Sequence, residues 1–420
     1  MLLHSVCELE RKYKDQTALS TDLGKLMSAT SEQKGVYNWF PFFQAFTSGF
    51  LEDVFNRDVA RKSKNILDPF AGSGTTLVSC IEFGKNGYGL EINPLFRFVA
   101  DVKTKKFSEM SFLGAENLVT KTGKDAFSPE YPNLSSFEKL FDSDVLKRLL
   151  VLRNAAYEEK NDEVTSILLF ALSSELLSFS SAKRYGKGLH IVKKPRFENV
   201  DRIIIQKLRR MHNDYLLLRE KAANSGFAYV APFGILDTEK VKELPAMDLV
   251  ITSPPYCNSS DYVEMYKLEL WFLKYVTDRS EFKDLSSKTV RSHLSFCNKR
   301  VNWSHACIDE ICFQLHHTNL WNPKITEMIR GYFDDLHLAL ENIKLVLKEK
   351  GRAFIAIGNS SYGGVVIPSD LLLAQAAEDL GLNIECLEVA RHLPTSSQQA
   401  KLLDKESKLM MRESIVVLSR

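Results

Sequence analysis

What this 420-residue chain lacks already narrows what it can be. Its seven cysteines, Cys7, Cys80, Cys257, Cys297, Cys307, Cys312 and Cys386, are odd in number and scattered, so they offer no disulfide framework and fit a reducing compartment. None of them pairs into a tight Cys-x-x-Cys knuckle. His305, Cys307, Cys312, His316 and His317 lie close in sequence, but Ile308, Ile311, Cys312 and Leu315 form an ordinary apolar helix face, and no metal is expected. The opening Met1-Leu2-Leu3-His4 runs straight into Glu8-Leu9-Glu10-Arg11-Lys12 without the apolar core of a signal peptide, and no apolar run approaches the length that crosses a bilayer. The expectation is a cytoplasmic protein with no membrane partner. Charge of either sign is not in excess: a net +2 neither demands nor excludes a polyanionic ligand. There is no internal repeat and no low-complexity segment.

The remaining signals alternate between strand and helix. Asn65-Ile66-Leu67-Asp68 is a short buried-strand pattern, followed by a glycine-rich turn and a predicted helix from about Thr75 to Phe83, with Gly84 just past its end. Gly87-Tyr88-Gly89-Leu90-Glu91 predicts the next strand. A second apolar strand, Asp248-Leu249-Val250-Ile251-Thr252, ends in Ser253-Pro254-Pro255-Tyr256, and Val263, Tyr266, Leu270 and Leu273 then recur at helical spacing. Phe333, Leu336, Leu340, Ile343 and Leu347 mark one face of a later helix, with Lys348 and Lys350 expected at its C-terminal end and Gly351 as its cap. Ala353–Ile357 and Ser414–Leu418 complete the strands. The pattern predicts an α/β fold, a Rossmann-like doubly wound and mostly parallel sheet with helical insertions. Five segments follow from it: 1–106, the cofactor-binding half; 107–227, a helical insertion; 228–277, the catalytic half; 278–325, a second insertion; and 326–420, the end of the sheet.

The turn Asp68-Pro69-Phe70-Ala71-Gly72-Ser73-Gly74-Thr75-Thr76 sits at a strand's C-terminal end, where an open parallel sheet binds ligands and glycine lets backbone approach them. A phosphate-binding loop would need a lysine that is absent, and a nicotinamide fingerprint wants a glycine where Leu77 stands. The remaining option is S-adenosylmethionine, with Glu91 ending the next strand at the right distance to hydrogen-bond ribose hydroxyls.

Asp-Pro-Phe-Ala-Gly-Ser-Gly-Thr-Thr together with Thr-Ser-Pro-Pro-Tyr resembles the cofactor and catalytic motifs of the DNA amino-methyltransferases, the N4-cytosine and N6-adenine enzymes of restriction-modification and related systems. The resemblance covers roughly residues 36–103, 228–275 and 330–420. It implies that Asp68, Phe70, Gly72 and Gly74, with Ala71 and Thr75 beside them, contact the methionine part of the donor and that Glu91 binds its ribose. It also implies that Asp237 meets the adenine amine, and that the Tyr37-Asn38-Trp39-Phe40-Pro41-Phe42 segment, with Tyr37 and Trp39, lies near the cofactor. Ser253 and the carbonyl of Pro254 are implied as acceptors for the exocyclic amine of a flipped-out base, with Pro255 stiffening the edge and Tyr256 stacking on the base.

Serine at the first motif position resembles the cytosine-N4 group, with adenine N6 as the alternative. The implied substrate is double-stranded DNA, and a cognate restriction endonuclease is a possible partner. An RNA amino-methyltransferase is a further alternative, for which the stretch before Tyr37 leaves little room for a separate RNA-binding domain. A catalytically silent nucleic-acid-binding subunit is another, against which intact Gly72, Gly74, Glu91 and Ser253 argue. Lys183, Arg184, Lys187, Lys193, Lys194 and Arg196, loosened by glycines and free of acidic neighbours, form the expected phosphate-contacting loop, extended by Arg202, Lys207, Arg209 and Arg210. Lys299, Arg300 and Trp303 form a thinner one, so the first insertion is expected to read the target with the second contributing.

Overall fold

The computed structural model describes residues 2–420 except 28–33, 43–45, 127–134, 186–187, 193–198, 223–225, 297–299 and 395–396. Eight strands form one sheet: β1 (Thr17–Leu19), β2 (Asn65–Asp68), β3 (Asn86–Leu90), β4 (Phe227–Ala231), β5 (Met247–Thr252), β6 (Leu347–Gly358), β7 (Asn383–His392) and β8 (Arg412–Ser419). Their lateral order is β1-β7-β8-β6-β5-β2-β3-β4. Strands β6, β5, β2, β3 and β4 are mutually parallel, while β8 runs antiparallel to both its neighbours. This is the doubly wound, mostly parallel sheet that the sequence predicts. Ile66, Leu67, Leu249, Val250 and Ile251 are fully buried, as strands covered on both faces require.

From β2 the chain winds outward to β3 and β4 on one side, then crosses to β5 and β6 on the other. The winding therefore reverses between β2 and β5, and the carboxyl ends of these two strands open a crevice where such sheets bind ligands. Helix α1 (Thr75–Glu82) starts on Gly74, whose φ of +81° is a left-handed conformation that glycine adopts without penalty. A Cβ at Gly74 would lie 2.8 Å from Ala100 Cβ and 3.0 Å from Ala100 Cα, on helix α2 (Pro94–Thr104). Gly74 thus permits close helix packing. Gly74→Ala should lower the melting temperature by several degrees, because left-handed strain costs about 1–2 kcal/mol before the clash is counted; thermal melts of parent and variant check this.

Between β3 and β4 the chain forms helices Glu109–Lys121, Ser143–Glu158, Asp162–Glu175 and Val200–Lys221 and the hairpin of Ala182–Tyr185 and Gly188–Ile191. Their apolar faces, with Phe112, Leu149, Phe170 and Ile204, share one core with Tyr266 and Trp271 beyond β5. After β5 come two short helices, α3 (Tyr262–Met265) and α4 (Lys267–Phe272), and later α5 (Ile325–Val346). No helix among the described residues is long and apolar enough to cross a membrane.

Two sequence expectations fail here. Helix α5 ends at Val346 and passes directly into β6, so Gly351 lies inside a strand and caps no helix. The register shifts between Met247↔Leu347 and Leu249↔Arg352, and the intervening residues bulge with Lys350 at φ +64°. Lys348 accordingly pairs with Asp248 at 2.6 Å instead of facing a helix end.

Candidate active site

The site is assembled around one buried carboxylate. Asp68, at the tip of β2, accepts hydrogen bonds from Thr76 Oγ1 (2.5 Å) in the first turn of α1, from Thr252 Oγ1 (2.8 Å) at the tip of β5, and from the Phe70 backbone N–H (3.1 Å). It therefore ties the glycine loop to the strand that delivers Ser253. Burial pushes its carboxyl up to about 6, against the pull of these three donors.

Glu91 follows β3 and accepts from the backbone N–H groups of Gly72 (2.9 Å) and Asn93 (2.7 Å). Burial pushes it up to about 7, again opposed by its donors. Gly72 itself stands at φ +50°, and a Cβ there would come within 3.0 Å of the Phe42 ring.

On the other strand tip, the Tyr256 hydroxyl donates to Glu413 of β8 at 2.5 Å, and Glu413 also receives Arg391 Nε at 2.6 Å. Ser253 stands beside Tyr256 in the cavity lining, and the tyrosine proton is committed to Glu413. Burial, reinforced by the Glu413 carboxylate, raises the Tyr256 phenol well above its ordinary value and keeps it protonated. The Tyr256 ring rests on Gly358, where a Cβ would approach it to 2.7 Å.

One cavity takes in both strand tips. Asp68, Phe70, Ala71, Gly72, Thr75 and Glu91 line it together with Ser253, Pro254, Pro255 and Tyr256. Phe42 joins them, stacked on Tyr262 (centroids 6.1 Å, 18° between planes) and edge-on to Phe96 (4.9 Å). At the glycine-loop end the charged lining groups are the two carboxylates, Asp68 and Glu91, and the walls include Phe70, Ile92, Ile235 and Leu236. Paired buried carboxylates beside apolar walls suit a cationic ligand carrying hydroxyls and repel phosphate, so the residues fit S-adenosylmethionine.

Several predicted residues lie elsewhere. Asp237 is not in the cavity lining: it caps the short helix Thr238–Val241 and pairs with Lys240 at 3.0 Å, while its neighbours Gly234, Ile235 and Leu236 reach the cavity. Tyr37 points to Ser79 and Glu82, and Trp39 donates to Asp214 at 3.0 Å, so Phe42 is the residue of that segment that reaches the site. Arg184 is buried, paired with Glu269, donates to the Met265 carbonyl and lies 3.9 Å over the Tyr266 ring. It is an internal strut, unavailable to phosphate. Lys207 is likewise buried and holds the Trp39 carbonyl, Arg209 pairs with Glu116 and Arg210 with Glu175. Lys183 is exposed on the hairpin. Lys187, Lys193, Lys194, Arg196 and Lys299 fall outside the described residues.

The sequence names Phe42 only within its aromatic segment and leaves out Asp261, Tyr262, Thr289, His293 and Glu413. Asp261 carries a weak signal as a polar residue just ahead of a helical run; the other four have no local signature.

The known proteins to which this chain is similar include methyltransferases. A family model described as a DNA methylase matches residues 31–99. The Type II methyltransferase M.AvaI of a Nostoc species is 28% identical over an alignment covering 93% of this chain and 89% of its own. M.BsoBI of Geobacillus stearothermophilus, also a Type II methyltransferase, is 23% identical, with 94% and 87% covered, and M.MvaI of Kocuria varians is 21% identical, with 89% and 86% covered.

Proposed function

We propose, the chain being a member of the DNA amino-methyltransferase family, that it methylates the exocyclic N4 amine of cytosine in duplex DNA, as the modification arm of a restriction-modification system. The observation that carries this reading is the double hydrogen bonding of Asp68. It joins the first helical turn after the glycine loop to Thr252, immediately before Ser253, so a donor on the loop and an amine at Ser253 share one cavity.

S-adenosylmethionine supplies the methyl group already activated on a sulfonium, so the protein's task is binding and orientation. Asp68 stands ready for the methionine ammonium and Glu91 for the ribose hydroxyls. An exocyclic amine is a poor nucleophile because its lone pair is delocalised into the ring. Hydrogen bonds accepted from its two N–H groups by Ser253 Oγ and the Pro254 carbonyl draw the nitrogen toward tetrahedral geometry and stabilise the positive charge it gains on methylation. The serine oxygen has lone pairs with which to accept from the amine, and Tyr256 spends its own hydrogen on Glu413. The nucleotide must leave the duplex to reach these groups, at a cost of a few kcal/mol.

The choice of cytosine rests on serine at position 253; a hydroxyl also suits the adenine N6 amine, which is the second reading. The Type II designation of the similar proteins supports the restriction-modification setting, with a cognate endonuclease as partner. Purified protein incubated with labelled donor and plasmid DNA or transfer RNA tests the substrate class, and methylation-aware sequencing of DNA from expressing cells reads base and motif together. N4-methylcytosine at a fixed motif is the expected result. Label on adenine overturns the base assignment, and label on RNA alone overturns the DNA reading.

A further inference from the structure

We propose that residues 288–293, in the second insertion, form the wall that receives the acceptor nucleotide, with Lys288 meeting the backbone phosphate at the mouth and His293 positioning the base. The proposal rests on the functional reading above and deepens it. Lys288, Thr289, Ser292 and His293 line the same cavity as Ser253 and Tyr256. Lys288 is the one lysine or arginine among the described lining residues. Lys288 is therefore the lining side chain whose charge suits a backbone phosphate, whereas Asp68, Glu91 and Asp261 are carboxylates. The present partner of Lys288, Asp284 at 2.6 Å, is a solvent-exposed carboxylate, a pairing weak enough for a phosphate to replace.

The segment is also held in place. Arg291 is buried, with Nε and Nη2 on Asp335 (3.0 and 2.7 Å), Nη2 on Asp334 (2.6 Å) and its backbone N–H on Asp335 (2.8 Å), all on α5. Asp334 additionally accepts the N–H groups of Asn302 and Trp303, each at 2.8 Å. Both ends of the 291–303 loop are thereby fastened to one turn of a core helix. A buried cation with two carboxylates is a poor source of stability but a good fixer of geometry.

His293 is 4% exposed, and its Nε2 lies 3.0 Å from Thr289 Oγ1, whose hydroxyl is already donated to the Ser286 carbonyl. The imidazole therefore carries its hydrogen on Nε2. Nδ1 accepts from the Ser295 N–H at 3.3 Å and lies 3.5 Å from Asp261, which caps α3 five residues after Tyr256. His293 thus links the insertion to the continuation of the catalytic loop.

The test uses the full chain, with steady-state methylation of duplex DNA at several salt concentrations and calorimetry of S-adenosylmethionine. Lys288→Ala should raise KM for DNA about 5- to 10-fold and reduce the salt slope by about one, with kcat within twofold. His293→Ala should lower kcat about tenfold with donor affinity within twofold, and His293→Gln, which can still offer an N–H to Thr289, should recover most of it. If Ser253→Ala is inactive while Lys288→Ala and His293→Ala match the parent in both KM and kcat, the proposed wall is wrong. If Ser253→Ala stays active, the functional reading falls first. Should His293→Ala fail to fold, the exposed Lys288→Ala decides, an unchanged KM and salt slope overturning the proposal.

Discussion

Ser253→Ala should slow methyl transfer by on the order of 10²–10³-fold while leaving S-adenosylmethionine affinity within about twofold. In the proposed mechanism the lost oxygen is an acceptor aimed at charge that develops during the reaction, so the effect is large. It is confined to the chemical step because Asp68 and Glu91, the carboxylates proposed to hold the donor, take no hydrogen bond from Ser253. Single-turnover transfer from labelled donor, with calorimetry on the same preparation, separates the two quantities. A variant with the parent's single-turnover rate would show that the amine is received elsewhere.

Asp68→Asn should weaken donor binding at least tenfold and yet make the ligand-free protein more heat-stable at pH 8. The two halves have one cause. The Asp68 carboxyl is raised from 3.8 to about 6 in the folded protein, chiefly by burial. A raised carboxyl stabilises the fold fully below its unfolded value, and that contribution is lost as pH climbs through about 6. At pH 8 the folded protein therefore holds a buried charge costing on the order of 3 kcal/mol, which a cationic ligand offsets and an asparagine removes. Melting curves of parent and variant should converge near pH 4 and separate above pH 6, with the variant higher. A variant less stable at every pH, still binding the donor at parental strength, would mean that Asp68 is purely a structural acceptor for Thr76 and Thr252.

The parts of the fold legible in the sequence are those whose residues lie close together along the chain. Ile66-Leu67 and Leu249-Val250-Ile251 read as buried strands because parallel strands covered on both faces need uninterrupted apolar runs. The glycine loop and Ser-Pro-Pro-Tyr read as strand-tip turns for equally local reasons. Strand β7 escaped because Glu385 and Glu388 interrupt its pattern and its register shifts twice against β8, which breaks the two-residue alternation. Edge strand β4 escaped because Phe227 and Tyr229 stay about half exposed.

The site was legible to the same depth. Residues fixed by their own turn were found, whereas Glu413, 157 positions from Tyr256, and His293, 32 from Asp261, are brought in by topology alone. Within the basic loop, Arg184 misled for a related reason. Arg184 looks like a surface cation beside its lysine neighbours, and its carboxylate partner, Glu269, lies 85 positions away. Asp237, a carboxylate just ahead of a helix, is used as its cap.

Tyr256 is moored at both ends, its ring on the bare backbone of Gly358 and its hydroxyl on Glu413, which Arg391 holds from the adjacent strand. Its rotamer is chosen when the sheet folds, long before any nucleotide arrives. A base entering as proposed would therefore lose no affinity to freezing that side chain, because the aromatic plate is already in place.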